Sequence, residues 1–287
     1  MHISRNTTIV RSLAAWALAG ASALAQAGPV GYTAWDVSGN DKLLRIDLAT
    51  GAGTVVGSNI GFSDVDGMSF DGSGRLWGVD DDTNRLLQID LNTGVGTAVG
   101  SFGSGFNDMG LAFGNGVMYM AATDSAGVVG SLYTVNTGTG AASLVGAFGF
   151  NNAGQRLRVR SLGFYNGVLY GWSNRDTVLT INTSTGAATT VGAFGFPSLV
   201  IGQDGFDIDP ATGIGWSVAE VENRTYTLNL QTGAASIVAS SLSCDGGSCS
   251  AGGFNSLAIQ AVPEPGSLGL LLAGMGSLGW VNRRRRG

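Results

Sequence analysis

Histidine is almost missing. The chain has 287 residues and one histidine, His2. A body without imidazole excludes Ser-His-Asp and Cys-His catalysis and histidine-ligated metal sites. Charge is sparse as well, at 12% of residues, and it is lopsided. From Gly28 to Val262 there are 9 Lys and Arg against 19 Asp and Glu, a balance near −10. That argues against nucleic acid and anionic lipid as partners, because phosphate binding needs Lys and Arg concentrated on a surface. Cysteine is limited to two, Cys244 and Cys249, in the string CDGGSC. Two thiolates without histidine rarely hold zinc, so in an exported protein this pair reads as a disulfide. Phosphate-binding loops are missing too: glycine-rich strings such as GSFGSGF lie between strands, not between a strand and a helix.

What the chain has in excess is glycine, 48 residues, within a composition that is 44% hydrophobic. This is turn-rich β composition, too apolar and too patterned for disorder. One unit keeps returning: IDLATGAGTVVG from Ile46, IDLNTGVGTAVG from Ile89, VNTGTGAASLVG from Val135, INTSTGAATTVG from Ile181 and LNLQTGAASIVA from Leu228. The Gly of the shared Thr-Gly pair falls at Gly51, Gly94, Gly140, Gly186 and Gly233, in steps of 43, 46, 46 and 47 residues. Alternating apolar residues on either side of Thr-Gly predict a hairpin, since Gly takes the positive φ that a tight turn needs. A second hairpin precedes each of the later ones. Met68-Ser69-Phe70 runs through Asp71-Gly72-Ser73-Gly74 into Arg75-Leu76-Trp77-Gly78, and LAFGNGVMYM, LGFYNGVLYG and FDIDPATGIGW repeat the layout. Each unit is then four antiparallel strands (inner, second, third and outer), which is the signature of a β-propeller blade.

The two end repeats are out of frame in complementary ways. Gly31 to Trp35 matches a second strand with no inner strand before it, and Phe254 to Ile259 matches an inner strand with nothing after it. Together they predict one shared blade, closing residues 28–261 into an all-β, five-bladed propeller of four-stranded antiparallel blades with about 47 residues each. Closure hides the terminal edges. Trp77, Tyr119, Tyr170 and Trp216 fall near one place in the second strands. Either they form a surface for stacking sugars or they fill the space between blades.

The two ends carry further signals. Residues 1–27 combine Arg5 and Arg11, an apolar stretch and the small-x-small run Ala25-Gln26-Ala27, the pattern of a cleaved signal peptide. Residues 262–287 hold Pro263-Glu264-Pro265, then an uncharged apolar run from Leu268 to Val281, then Arg283, Arg284, Arg285 and Arg286. Fourteen residues of helix reach about 21 Å, short of the roughly 30 Å of membrane hydrocarbon. The basic cluster would stay cytoplasmic. This tail resembles the PEP-CTERM sorting signal of exported Gram-negative proteins. The resemblance implies a short C-terminal transmembrane helix inserted transiently in the inner membrane. It also implies processing by signal peptidase and an exosortase-type protease, and delivery to the cell surface or an exopolysaccharide matrix.

Carboxylates are the remaining chemistry. Aligning the inner strands on Phe70, Phe113, Phe164, Ile208 and Ile259 puts Asp66, Met109, Arg160, Asp204 and Asn255 at equivalent places just before each strand, with Asp64 and Asp108 close by. These side chains are expected around one mouth of the axial channel. There Asp66, Asp108, Asp204 and Asn255 are candidate ligand contacts, Arg160 an anion contact, and Asp64 and Asp66 candidate calcium ligands. The alternative is that they cap turns and solvate the channel. Asp80-Asp81-Asp82 reads as a solvated turn or a second calcium site, and Arg156, Arg158 and Arg160 share one face of an extended chain, holding an acidic polysaccharide or pairing with neighbouring acids. The expected function is non-enzymatic binding of polysaccharide or another surface protein. The alternative, a glycan-active enzyme using two carboxylates, requires two of Asp66, Asp108 and Asp204 to stand about 5 to 10 Å apart in an open cleft.

Overall fold

The computed structural model describes residues 28–37, 39–195, 205–219, 223–249 and 253–261. The expected signal peptide, apolar helix and sorting tail lie outside the described residues, as does Asp204. The described residues form no helix long and apolar enough to cross a membrane.

All the regular structure among the described residues is β. The chain opens with β1 (Val30–Trp35), β2 (Lys42–Asp47) and β3 (Ala52–Val56). Four sets of four strands follow. The first is β4 (Val65–Phe70), β5 (Leu76–Asp80), β6 (Arg85–Ile89) and β7 (Gly96–Ser101), and the second is β8 (Phe106–Gly114), β9 (Val117–Asp124), β10 (Gly130–Val135) and β11 (Ala142–Ala147). The third is β12 (Val159–Tyr165), β13 (Val168–Ser173), β14 (Thr177–Ile181) and β15 (Ala188–Ala193), and the fourth is β16 (Gly205–Ile208), β17 (Gly215–Ala219), β18 (Arg224–Leu228) and β19 (Ala235–Ile237). Short strands β20 (Ser243–Cys244), β21 (Gly247–Ser248) and β22 (Ala258–Ile259) end the described body. Each set is one antiparallel sheet ordered as in the sequence, and each inner strand touches the next around a ring.

The ring closes where the sequence predicts. Strand β22 pairs antiparallel with β1, Gly31 opposite Ile259 and Tyr32 opposite Ala258, and an isolated bridge joins Trp35 to Phe254. The ladder is shorter than the six residues expected from the sequence, and side-chain bonds extend the joint. Ser256 Oγ accepts the Ala34 N–H at 2.9 Å, and Asp207 Oδ2 accepts the Ile259 N–H at 2.8 Å from the neighbouring inner strand.

The closing blade differs from the other four in having six strands, in the order β21-β20-β3-β2-β1-β22. A hairpin closed by the Cys244–Cys249 disulfide adds β20 parallel to β3, with Ser243 opposite Ala52 and Cys244 opposite Gly53. Asp245 Oδ1 accepts the Val55 N–H at 3.0 Å and fixes the added edge. The hairpin covers an edge that would otherwise present unpaired backbone groups to water.

There is no single central core. Five apolar clusters fill the five gaps between blades. Trp77 and Tyr119 are buried in two of them and Trp216 in a third, with Tyr170 packed half-buried against a fourth. These aromatics are blade-to-blade filler, the second of the two readings open from sequence.

Beyond this filler, adjacent blades meet backbone to backbone. Asp47, Asp90, Asn136, Asn182 and Asn229 each accept two N–H groups of the following turn through a side-chain oxygen, at 2.8 to 3.2 Å. Each turn then ends on the repeat glycine at positive φ, such as Gly140 at 79° and Gly186 at 77°. The Val-Gly that ends the repeat has the complementary role. Ladder irregularities leave Val99, Val145 and Val191 without partners, and the glycine after each lies against the turn of the next blade. A side chain at Gly146 would collide with the Thr185 carbonyl, and one at Gly186 with the Gly146 carbonyl.

Replacing Gly146 with alanine is therefore expected to force two blades apart and to destabilise the body by about 2–3 kcal/mol. Gly116 has φ of 80° but open space around it. Gly116→Ala is expected to cost only about 1 kcal/mol, from its left-handed backbone. Urea unfolding of the two variants measures the difference, and equal losses would contradict a steric interlock.

Candidate functional site

In an up-and-down blade successive connections alternate between the two ends. The turns from second to third strand therefore share one face of the ring with the links from outer strand to next inner strand. The first kind supplies Asp36 to Asp41 and Asp80 to Asn84, and the second supplies Asp64, Asp66, Asp108 and Arg160.

On this face the structure gathers acids from three blades. Asp66 opens β4 and is 4% exposed. Its carboxyl lies against the Met109 backbone, within electrostatic reach of Asp64, Asp81 and Asp108. Asp81 accepts the Asp108 N–H at 3.3 Å, and its own N–H donates to the Asp64 carbonyl at 2.8 Å. Asp108 adopts a positive φ of 50° to make this approach. From the closing blade, Asp41 is fully buried and accepts the Val65 N–H at 2.7 Å. Asp80, also fully buried, accepts the Thr83 N–H at 2.9 Å.

Crowding has electrostatic consequences. Burial raises Asp41 to about 6, with Asp36, Asp64 and Asp80 adding repulsion. Burial and the charges of Asp64 and Asp108 raise Asp81 to about 6. Asp66 lies well above the usual carboxylate range, through burial first and then Asp64, Asp81 and Asp108. One carboxylate oxygen of each of Asp41, Asp66, Asp80 and Asp81 is buried without a hydrogen-bond partner. Carboxyl groups crowded and buried this way hold protons that free ones release.

Among the described residues no three acidic, sulfur or imidazole groups converge as a metal-ion site. Asp64, Asp66 and Asp108 do come together as the repeat alignment predicts. Asn255 stands half-buried at the start of the closing inner strand, and Asp204 lies outside the described residues. Met109, fully buried, and Phe106, 6% exposed, pack between the first two blades. Sequence reasoning missed Asp36 and Asp41 and kept Asp80 to Asp82 apart as a second cluster. Aligning the second strands would have found Asp36, since it follows β1 as Asp80 ends β5. The run Asp80 to Asp82 is only in part a solvated turn: Asp82 is exposed and accepts from Ser63 Oγ at 2.6 Å, while Asp80 is buried.

Farther round the same face stand the arginines. Arg158 is held against Asn174 by two bonds, its N–H to Asn174 Oδ1 at 3.2 Å and its carbonyl from the Asn174 N–H at 3.0 Å. Asp176 lies within electrostatic reach of Arg160, yet burial keeps its carboxyl above the usual range.

Residues 261–286 match the PEP-CTERM protein-sorting motif. Such a motif implies an exported protein with a C-terminal, membrane-anchored sorting signal processed by exosortase. No curated protein matches the chain. Among solved structures, a selenomethionine-substituted virginiamycin B lyase from Staphylococcus aureus aligns at 14% identity over 73% of this chain and 70% of that one, with a TM-score of 0.40.

The raised acids set a pH dependence. The folded body holds protons on Asp41, Asp66 and Asp81 that the unfolded chain has already released above pH 4. The contributions of Asp41 and Asp81 are complete at low pH and are lost as pH rises through 6, and that of Asp66 is lost in the same direction. Asp71 is lowered, with hydrogen bonds from Trp77 and Arg75 outweighing burial, so its contribution disappears only on further acidification. Stability is expected to fall by about 2 kcal/mol or more from pH 5 to pH 8. Asp66→Asn is expected to raise the pH 8 value and flatten the slope. Thermal unfolding at matched ionic strength reads both effects, and a wild-type Tm rising from pH 5 to pH 8 would contradict the proton-holding cluster.

Proposed function

We propose that this is a non-enzymatic binding protein of the cell surface or extracellular matrix of a Gram-negative bacterium. It engages a polysaccharide or another surface protein through the propeller face that carries the acid cluster and the arginines. The observation that carries this reading is the difference between the two faces. At one, five near-identical Asx-Thr-Gly turns are committed to holding blades together. At the other, the connections differ from blade to blade, and their charges segregate into an acidic sector and a basic one.

The state of the acids favours binding over catalysis. A glycosidase needs two carboxyls facing substrate with room for it between them, whereas Asp66 is buried and crowded by its acidic neighbours. Calcium enters this reading as a bridging ion between the acidic sector and an acidic polymer, and is tested as such.

A glycan array probed with the purified protein, with and without calcium, tests the proposal. The expected result is retention of one glycan class without release of new reducing ends. That retention should weaken when Asp108 and Arg160 are replaced and persist when Asp90 is replaced on the opposite face. Steady release of shortened glycan would favour the enzymatic reading. Retention indifferent to both faces, or none at all together with no surface protein recovered by crosslinking on cells, would sink the proposal.

A further inference from the structure

We propose that the segment from Phe150 to Arg160, with Arg175 beside it, is a docking strip for the carboxylates of an acidic polysaccharide. This deepens the reading above and rests on it for the polymer-binding face.

The strip begins in the link between β11 and β12, which crosses from the outer edge of one blade to the inner strand of the next. It is firmly built. Phe150 bridges Arg156, Leu157 donates to the Gly149 carbonyl at 3.0 Å, and Asn151 Oδ1 accepts from Ala153 and Gln155 at 3.0 and 2.9 Å. Leu157 and Val159 point into the blade gap at 2% and 0% exposure. Arg156 and Arg158 therefore share the outer side, about 6.6 Å apart along extended chain, and Arg160 follows at the bulge after Val159. The Arg158–Asn174 bonds bring exposed Arg175 alongside.

Four of the nine basic residues between Gly28 and Val262 thus stand together. No ion pair joins any of the four to a described acid; the ion pair found among described residues is Arg75 with Asp71. Asp124 and Asp176 are electrostatic neighbours of Arg156 and Arg160. Arg156 and Arg175 are exposed, and their guanidiniums present forks matched to a carboxylate.

The outer end of the strip names the ligand class more closely. Phe150 is 56% exposed, with the Arg156 guanidinium over its ring at 5.1 Å from the centroid. An exposed aromatic ring stacked with a cation suits a sugar ring, whose C–H face packs on the ring's other side while the acid group meets the arginine. A flat anionic membrane laid across this face would also press on the acid cluster, and like charges there would repel it. A single polymer chain lies along the strip without touching that sector.

Binding is measured to polygalacturonate, neutral dextran, dextran sulfate, polyglutamate and vesicles rich in phosphatidylglycerol, at one ionic strength. The expected result is preference for polygalacturonate. Affinity should fall at least about ten-fold in Arg158→Ala/Arg160→Ala and in Arg156→Ala/Arg175→Ala, and several-fold in Phe150→Ala. Arg45→Ala, on exposed β2 surface, should bind as wild type. Arg156 and Arg175 are both exposed, so their double variant keeps the wild-type urea midpoint and separates binding from folding. Wild-type affinity in that variant overturns the inference. So does equal or tighter binding to polyglutamate, dextran sulfate or the vesicles. If a neutral glycan or a surface protein binds and polygalacturonate does not, this inference falls while the binding role stands. If nothing binds, both fall.

Discussion

The ring depends on a place where no side chain fits. At the rim of each blade junction, the turn of one repeat presses on the backbone that ends the previous one. Four of the five junctions put glycine against that turn: Gly57 with the Thr93-Gly94 turn, Gly100 with Thr139-Gly140, Gly146 with Thr185-Gly186 and Gly192 with Thr232-Gly233. At the fifth, Gly51 meets the Ser241 carbonyl and Ala239. Contact of this kind is unforgiving because interiors are packed to crystal density and backbone cannot rotate out of the way. It sets the spacing of the blades, and the apolar clusters between them fill the gaps that spacing leaves.

That constraint divides the molecule into two ends with different freedoms. The end bearing the Asx-Thr-Gly turns must stay nearly the same in every repeat, and its carboxylates are spent on local bonds. Asp90, for instance, is fully exposed, yet the N–H groups of Thr93 and Asn92 hold it below the usual range. The opposite end also sets glycine against backbone, Gly67 on Met109 and Gly110 on Arg160, but along the inner strands, and the connections beyond them vary in length and chemistry. One of them holds Asp64 to Asp66 and another Asn151 to Arg158. Function placed on loops of a rigid scaffold is a general outcome of this division.

Much of this was legible in the residues themselves. The 43-to-47-residue period, the hairpin pattern and the complementary end repeats specify the blade count and the strands that close the ring. The repeat alignment also brought Asp64, Asp66 and Asp108 to one mouth. What the sequence concealed is contact between connections of different kinds. Asp81 reaches Asp66 because a turn within a blade and a link between blades emerge at the same end, a relation with no signature in spacing along either strand. The docking of β20 beside β3 was hidden for a similar reason, since a two-residue parallel pairing leaves no periodic trace. Composition is blind to placement: a balance near −10 spoke against nucleic acid and anionic lipid, and it gave no sign that the Arg158–Asn174 bridge brings Arg175 beside Arg156, Arg158 and Arg160.

Formal charge also overstates how negative the face is. With Asp41 and Asp81 at about 6 and Asp66 also held well above the usual carboxylate range, the acid cluster carries fewer charges near pH 6 than its residue count suggests. The guanidiniums keep theirs at every relevant pH. Mild acidification therefore weakens repulsion of an anionic chain by the acidic sector while leaving its attraction to the arginines intact. Burial is the common cause. The close approach that fixes the blades also buries the acids between them, so the geometry that holds the ring together sets the charge contrast on its face.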